Sequence, residues 1–222
     1  MSDNPAWNDT SREELRESLR RMILGEIRLM KSGGDDVLDT CQTYIGDECP
    51  EDERAAFFSF AADQLEQAAA RYIAEQAAWP ADTDCDRLDR VEVDLRDRGI
   101  LLWQVSPCCD TCTGGELPDR IDEIDRRHPG FRECVRGYAF FIDQNMAEML
   151  AESTELSVYL AYGWFSPESS DVAPDIYKRN ALSVAQEICD CLHDHGFKPI
   201  WDGDFSKKIG LSLNWQRRAK LM

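Results

Sequence analysis

The chain has 222 residues, and 43 acidic against 25 basic side chains give it a net charge of −18. That balance excludes a general nucleic-acid binder, which needs a basic face for phosphate, and it excludes electrostatic adhesion to an anionic membrane. A chain of this length buries a core without staples, and no stretch approaches the roughly 20 apolar residues of a membrane span. The opening Met1-Ser2-Asp3-Asn4-Pro5 lacks the basic and apolar blocks of a secretory signal, so a cytoplasmic setting is expected. Nine cysteines at uneven spacing then read as reduced thiols, a metal site or a redox pair rather than a disulfide framework. The acidic excess reads first as a solvated surface, with a cationic partner as the alternative.

In chain order, Leu15, Leu19, Met22, Ile23, Ile27 and Met30 recur at helical spacing and predict a helix over 11–31. Ser11 is its expected cap, Glu13 and Glu14 suit its positive end, and Gly33-Gly34 stops it. A short helix is expected over 36–45, and a longer Ala-, Leu-, Gln- and Glu-rich one over 51–78, closed by Pro80. A fourth, over 84–98, has Leu88, Val91 and Leu95 on one face and Gly99 at its end. The pattern then changes. Strands are expected over 100–105, 137–142, 156–162, 198–201 and 210–215, the last two as a hairpin. Helices are expected over 117–127 and 175–195, the latter with Ala181, Val184, Ala185, Ile188 and Leu192 on one face. The fold class is therefore α+β, a helical region over 1–99 followed by a domain over 100–222 with a mixed sheet of about five strands covered by helices.

Chemistry-bearing residues gather at Cys108-Cys109-Asp110-Thr111-Cys112. Two thiolates spaced as Cys109 and Cys112 can share one tetrahedral ion, and Cys108, His128 and Cys134 are candidates for the remaining ligands of a zinc site. The same pair could form a dithiol couple, although Asp110 and Glu116 favour the protonated thiol. Packed, unreactive thiols are the third reading. Cys189 with His193, and Cys191 with His195, stand one helical turn apart, a metal-compatible spacing, but His195 before Gly196 also suits a helix C-terminus. Asp202 lies in the polar loop Trp201-Asp202-Gly203-Asp204, which reads as a cation or substrate loop or as an ordinary turn. Tyr138, Tyr159, Tyr162 and Trp164 could line a pocket or fill a core. No phosphate loop, zincin helix or nucleophile elbow is present.

Several short segments occur in a telling order: Asp86-Arg87-Leu88 with Gly99-Ile100, Cys108-Cys109-x-x-Cys112 with Glu116, and Gly137-Tyr138-x-Phe140-Phe141. They continue through Tyr159-x-x-Tyr162-Gly163, Trp201-Asp202-Gly203 and Trp215-Gln216-Arg217-Arg218. From Thr83 to Arg218 the chain resembles a mainly bacterial family of uncharacterised proteins, a domain of unknown function. The resemblance implies a shared domain and no activity. The chain departs from the family pattern at Thr113, where Gly is usual, at Ile142, where His is usual, and at Asn145, where Asp is usual. If that His and Asp serve acid–base chemistry in relatives, they cannot do so here.

The expected function is a non-catalytic binding or interaction module, acting on a protein partner or a small ligand through a groove at Glu116, Tyr138, Tyr162 and Asp202. One alternative is a domain stabilised by zinc at Cys108, Cys109, Cys112, Cys134 and His128; otherwise no cofactor is expected. Another is a small enzyme using carboxylates such as Asp202, or a dithiol redox protein. No catalytic residue is assigned.

Overall fold

The computed structural model describes residues 7–107, 109–166 and 172–219. These residues form an α+β protein of two compact units. One comprises the described residues of Met1–Ala81, Asn145–Thr154 and Trp215–Met222, the other those of Asp82–Gln144 and Glu155–Asn214.

The first unit is helical. Helix α1 (Asp9–Leu29), α2 (Gly34–Glu48) and α3 (Arg54–Glu75) bury Leu15, Leu19, Ile23, Val37, Cys41, Ile45, Phe57 and Ala61 in one core. The cap of α1 is Asn8 rather than Ser11, because the Asn8 side chain accepts from the amides of Thr10 and Ser11. A short 3₁₀ turn, Gln76–Ala78, ends this helical run. Glu53 ties α1 to α3 by accepting from Arg12 at 2.6 Å and from the Trp7 indole at 2.7 Å.

The second unit contains α4 (Asp84–Asp97), β1 (Ile100–Ser106), α5 (Asp110–Arg127), α6 (Phe131–Cys134), β2 (Gly137–Ile142), β3 (Glu155–Trp164), α8 (Pro174–Asp194) and β4 (Ile209–Asn214). Between β2 and β3 the chain supplies α7 (Met146–Glu152) to the helical unit. The four strands lie in the order β1-β2-β3-β4; β1 and β2 are parallel, and the other pairs antiparallel. Strand alternation sends Leu101, Tyr138, Phe140 and Ala161 to the face packed by Leu117, Ile121 and Ile124 of α5. The opposite face meets α4 and α8, where Gly137 leaves room for the Val184 side chain.

The expected fifth strand over 198–201 is reduced to one antiparallel bridge, Ile200 to Gly210. Pro199 has no amide proton to extend a ladder, and Ile200 is 73% exposed, so no burial drives further pairing. Helix α5 starts seven residues before the expected 117, so Asp110 to Cys112 are its first turn rather than a loop. Gly114, Gly115 and Pro118 conceal those turns from propensity. No helix among the described residues is long and apolar enough to cross a membrane.

Candidate functional site

Among the described residues β1 pairs only with β2, and no strand pairs with its other edge. Helices α4 and α5 flank that edge and leave a cleft of about 60 Å³, lined by Glu92, Arg96, Leu101, Leu102, Arg120, Ile124, Arg127, His128 and Phe131. Local structure explains which side chains reach it. In α4, Leu88, Val91 and Leu95 are buried, which leaves Glu92 and Arg96 together, one turn apart, on the flank. In α5, Ile121 and Ile124 are buried, and Arg120 and Arg127 stand two turns apart on one side. His128 is the C-terminal cap residue of α5.

The cleft is rich in cationic donors although the chain carries a net charge of −18. The Arg120 guanidinium stacks over Trp103 at 5.6 Å and gives Nη1 to Glu123 at 2.6 Å. Its Nε is buried without a hydrogen-bond partner among the described residues. Arg127 also pairs with Glu123, whose carboxyl is held below its ordinary range first by the hydrogen bond from Arg120. Glu92 is engaged by the Gln104 amide at 2.7 Å. The side chains of Arg96 and His128 have no ion pair or hydrogen bond among the described residues. Because a buried donor left unsatisfied costs about 1–3 kcal/mol, the Nε of Arg120 favours an acceptor in the cleft.

Of the residues expected to bind zinc, Cys109 caps the start of α5 and Cys112 lies exposed in its first turn, whereas His128 caps the far end. At 1.5 Å per residue these ends are about 25 Å apart, too far to share an ion. Exposed Cys134 is also at the far end, where its carbonyl abuts Gly99 at the start of β1. Cys108 lies outside the described residues. None of the eight described cysteines forms a disulfide.

Among the residues expected to form a groove, Glu116 is exposed on α5. Tyr138 packs on Phe140 and Phe165, burial pushes its phenol above the ordinary range, and its hydroxyl lies over Gly163. Tyr162 follows Gly163's strand onto the opposite sheet face, where its hydroxyl donates to the Asp204 carbonyl at 3.4 Å and its ring meets Trp201 edge-on. The structure thus brings Tyr162 to the Asp202 loop, while Tyr138 points to the other face of the sheet. Asp202 itself accepts from the Asp204 amide and from Lys207, which lowers its carboxyl with the Lys207 hydrogen bond as the main cause.

Thr113, Ile142 and Asn145 have structural roles. Thr113 is fully buried; its hydroxyl lies 3.0 Å from Ser106 Oγ and 3.0 Å from the Pro107 carbonyl. It therefore closes the turn after β1, next to the irregularity in that strand where Val105 is held at φ +53°. Ile142 packs in the core beneath α5, and Asn145, at φ +63°, caps α7 in a conformation that Asn tolerates.

Arg96, Arg120 and Arg127 belong to no recognisable sequence motif. The seven-residue spacing of Arg120 and Arg127 is a signal, but arginines on a helix flank ordinarily read as solvated. Among the described residues, one set of metal-ligating groups converges: Asp94, Cys191 and His195. A model for a domain of unknown function (DUF6891) matches residues 12–219, so the match takes in most of α1, all of α2 and α3, and the region from Thr83. No curated protein and no solved structure matches the chain.

Proposed function

The chain belongs to the DUF6891 family, which brings no activity with it, and we propose that it is a binding module whose cleft beside β1 holds the oxyanion of a small ligand. The observation that carries this reading is the meeting in one cleft of Arg96 and His128, whose side chains have no partner among the described residues, with the buried Nε–H of Arg120. Guanidinium groups suit carboxylate and phosphate oxygens in a planar, two-pronged arrangement. A volume of about 60 Å³ admits one such head group, with the remainder of the ligand extending to solvent. Trp103 beneath Arg120 fixes the guanidinium plane, which lowers the entropy cost of capture.

The reading is tested with phosphate, sulfate and acetate, titrated at constant ionic strength against chloride and followed by melting temperature and calorimetry. A bound anion at 100 times its Kd stabilises the fold by about 2.7 kcal/mol. Stabilisation by at least one of these oxyanions is expected, with weaker binding in Arg96→Gln and Arg120→Gln. Equal melting temperatures in all anions, including chloride, would remove the proposal.

A further inference from the structure

Helix α8 carries Cys191 and His195 four residues apart, so both project from one side of its last turn. Helix α4 lies against this turn and contributes Asp94. The Cys191 Sγ, a ring nitrogen of His195 and a carboxylate oxygen of Asp94 all lie within 4.8 Å of one another. His195 Nε2 is already 2.7 Å from Asp94 Oδ2. The backbone around them is fixed. His195 caps α8 and its amide bonds to the Cys191 carbonyl; Gly196 turns the chain at φ +81°; and Arg87 reaches the His195 carbonyl while stacking on Phe197.

We propose that Asp94, Cys191 and His195 form a site for one divalent transition-metal ion of the zinc class. The donor set is a thiolate, an imidazole and a carboxylate, a combination that suits zinc and not calcium or magnesium. Tetrahedral zinc bonds of about 2.0–2.3 Å place ligand atoms about 3–4 Å apart. The observed group therefore needs only small side-chain adjustments and the exchange of the His195–Asp94 hydrogen bond for two metal bonds. Charge also balances: one thiolate and one carboxylate neutralise a divalent ion, so the partly buried site carries no net charge. Exposure is graded across it, from fully buried Cys191 through His195 at 17% to Asp94 at 47%. The fourth position consequently opens on the Asp94 side and would be filled by water or an exchangeable ligand, as in zinc sites that bind substrates. This site is separate from the cleft holding Arg96 and His128.

The full-length protein, stripped with a chelator and kept reduced, is titrated with cobalt(II) as a spectroscopic stand-in for zinc. The expected result is one equivalent bound with a thiolate-to-cobalt charge-transfer band that zinc displaces. The band persists in Cys109→Ser/Cys112→Ser and disappears in Cys191→Ser. Because Cys191 is buried, Asp94→Asn provides the variant that keeps the fold, and it weakens cobalt binding by roughly 10-fold or more. Absence of the band in the wild type, its loss in the Cys109/Cys112 variant, or unchanged cobalt affinity in Asp94→Asn would each overturn the assignment. The last outcome would leave Asp94 and His195 as an interhelical hydrogen bond alone.

Discussion

Replacing Gly25 by alanine tests how closely α1 and α7 pack. Gly25 is buried within α1, and a Cβ added there would stand 2.0 Å from the Ala147 carbonyl oxygen and 2.6 Å from its carbon. A carbon–oxygen contact needs about 3.3 Å, so α7 would retreat by about 1.3 Å. Neither partner is a flexible side-chain end. The same retreat loosens Met146 and Leu150, 1% and 0% exposed, and strains the 2.7 Å bond from Arg28 to the Leu150 carbonyl. A gap of that size forfeits about half of the packing attraction, or about 1–2 kcal/mol for each of these side chains. Against this, Gly→Ala in a helix interior contributes about 1 kcal/mol. The net expectation is a loss of about 1–3 kcal/mol and a fall in Tm of roughly 3–12 °C. Gly46→Ala in α2 is the control: nothing lies within 4 Å of its Cβ, so it should gain up to about 1 kcal/mol. Urea denaturation followed by far-UV circular dichroism reads both variants. A Gly25→Ala protein as stable as wild type, or effects of one sign at both positions, would refute the reasoning.

Trp215→Ala should cost about 3–5 kcal/mol in the same assay, because the indole is fully buried and its Nε1 donates to the Arg28 carbonyl at 2.9 Å. Burial pushes the Cys41 and Cys189 thiols from 9.0 up to about 11. The unfolded chain therefore loses these protons first, and stability falls as pH rises from about 9 to 11, by up to about 2–3 kcal/mol per thiol. A pH series of denaturation midpoints with Cys41→Ala and Cys189→Ala checks this; a flat alkaline limb in the wild type would contradict it. At the acid end, hydrogen bonds from Arg12 hold the Glu53 carboxyl down from 4.5 to about 2. Its stabilisation is complete above pH 4.5 and disappears as pH falls through about 2, so Glu53→Gln should flatten the acid limb in that window. Val105→Gly should leave Tm unchanged or raise it, since a β-branched residue at φ +53° costs about 1–2 kcal/mol that glycine avoids.

Apolar periodicity made the long elements legible. The Leu15–Leu19–Ile23 stripe, the Leu88–Val91–Leu95 face and the Ala181–Ile188 face all became buried helix surfaces. The run 137–142 became β2 with the expected bounds. Elements shorter than one full pattern were not legible: α7 has seven residues and α6 four. The first turns of α5 are hidden because glycines and an internal proline oppose propensity, and packing of Leu117, Ile121 and Ile124 overrides them. The cleft was hidden for a different reason. Arg96 and Arg120 are 24 residues apart in sequence, and only the passage of β1 between α4 and α5 brings them together. For Cys191 and His195, helical spacing revealed half of a site, but Asp94 enters from a helix about 100 residues earlier, which no local pattern discloses.

The three-segment composition of the helical unit bears on the order in which the protein is made. Helices α1 to α3 leave the ribosome early, yet the pieces that complete their unit, Asn145–Thr154 and Trp215–Met222, follow the first and second halves of the sheet unit respectively. With Trp215 following the last strand, the helical unit must wait, partly uncovered, while the sheet unit is synthesised. Nascent chains stalled before Trp215 should therefore carry an accessible apolar surface on α1 that the finished protein conceals, and that interval is when a holding chaperone would have something to grip.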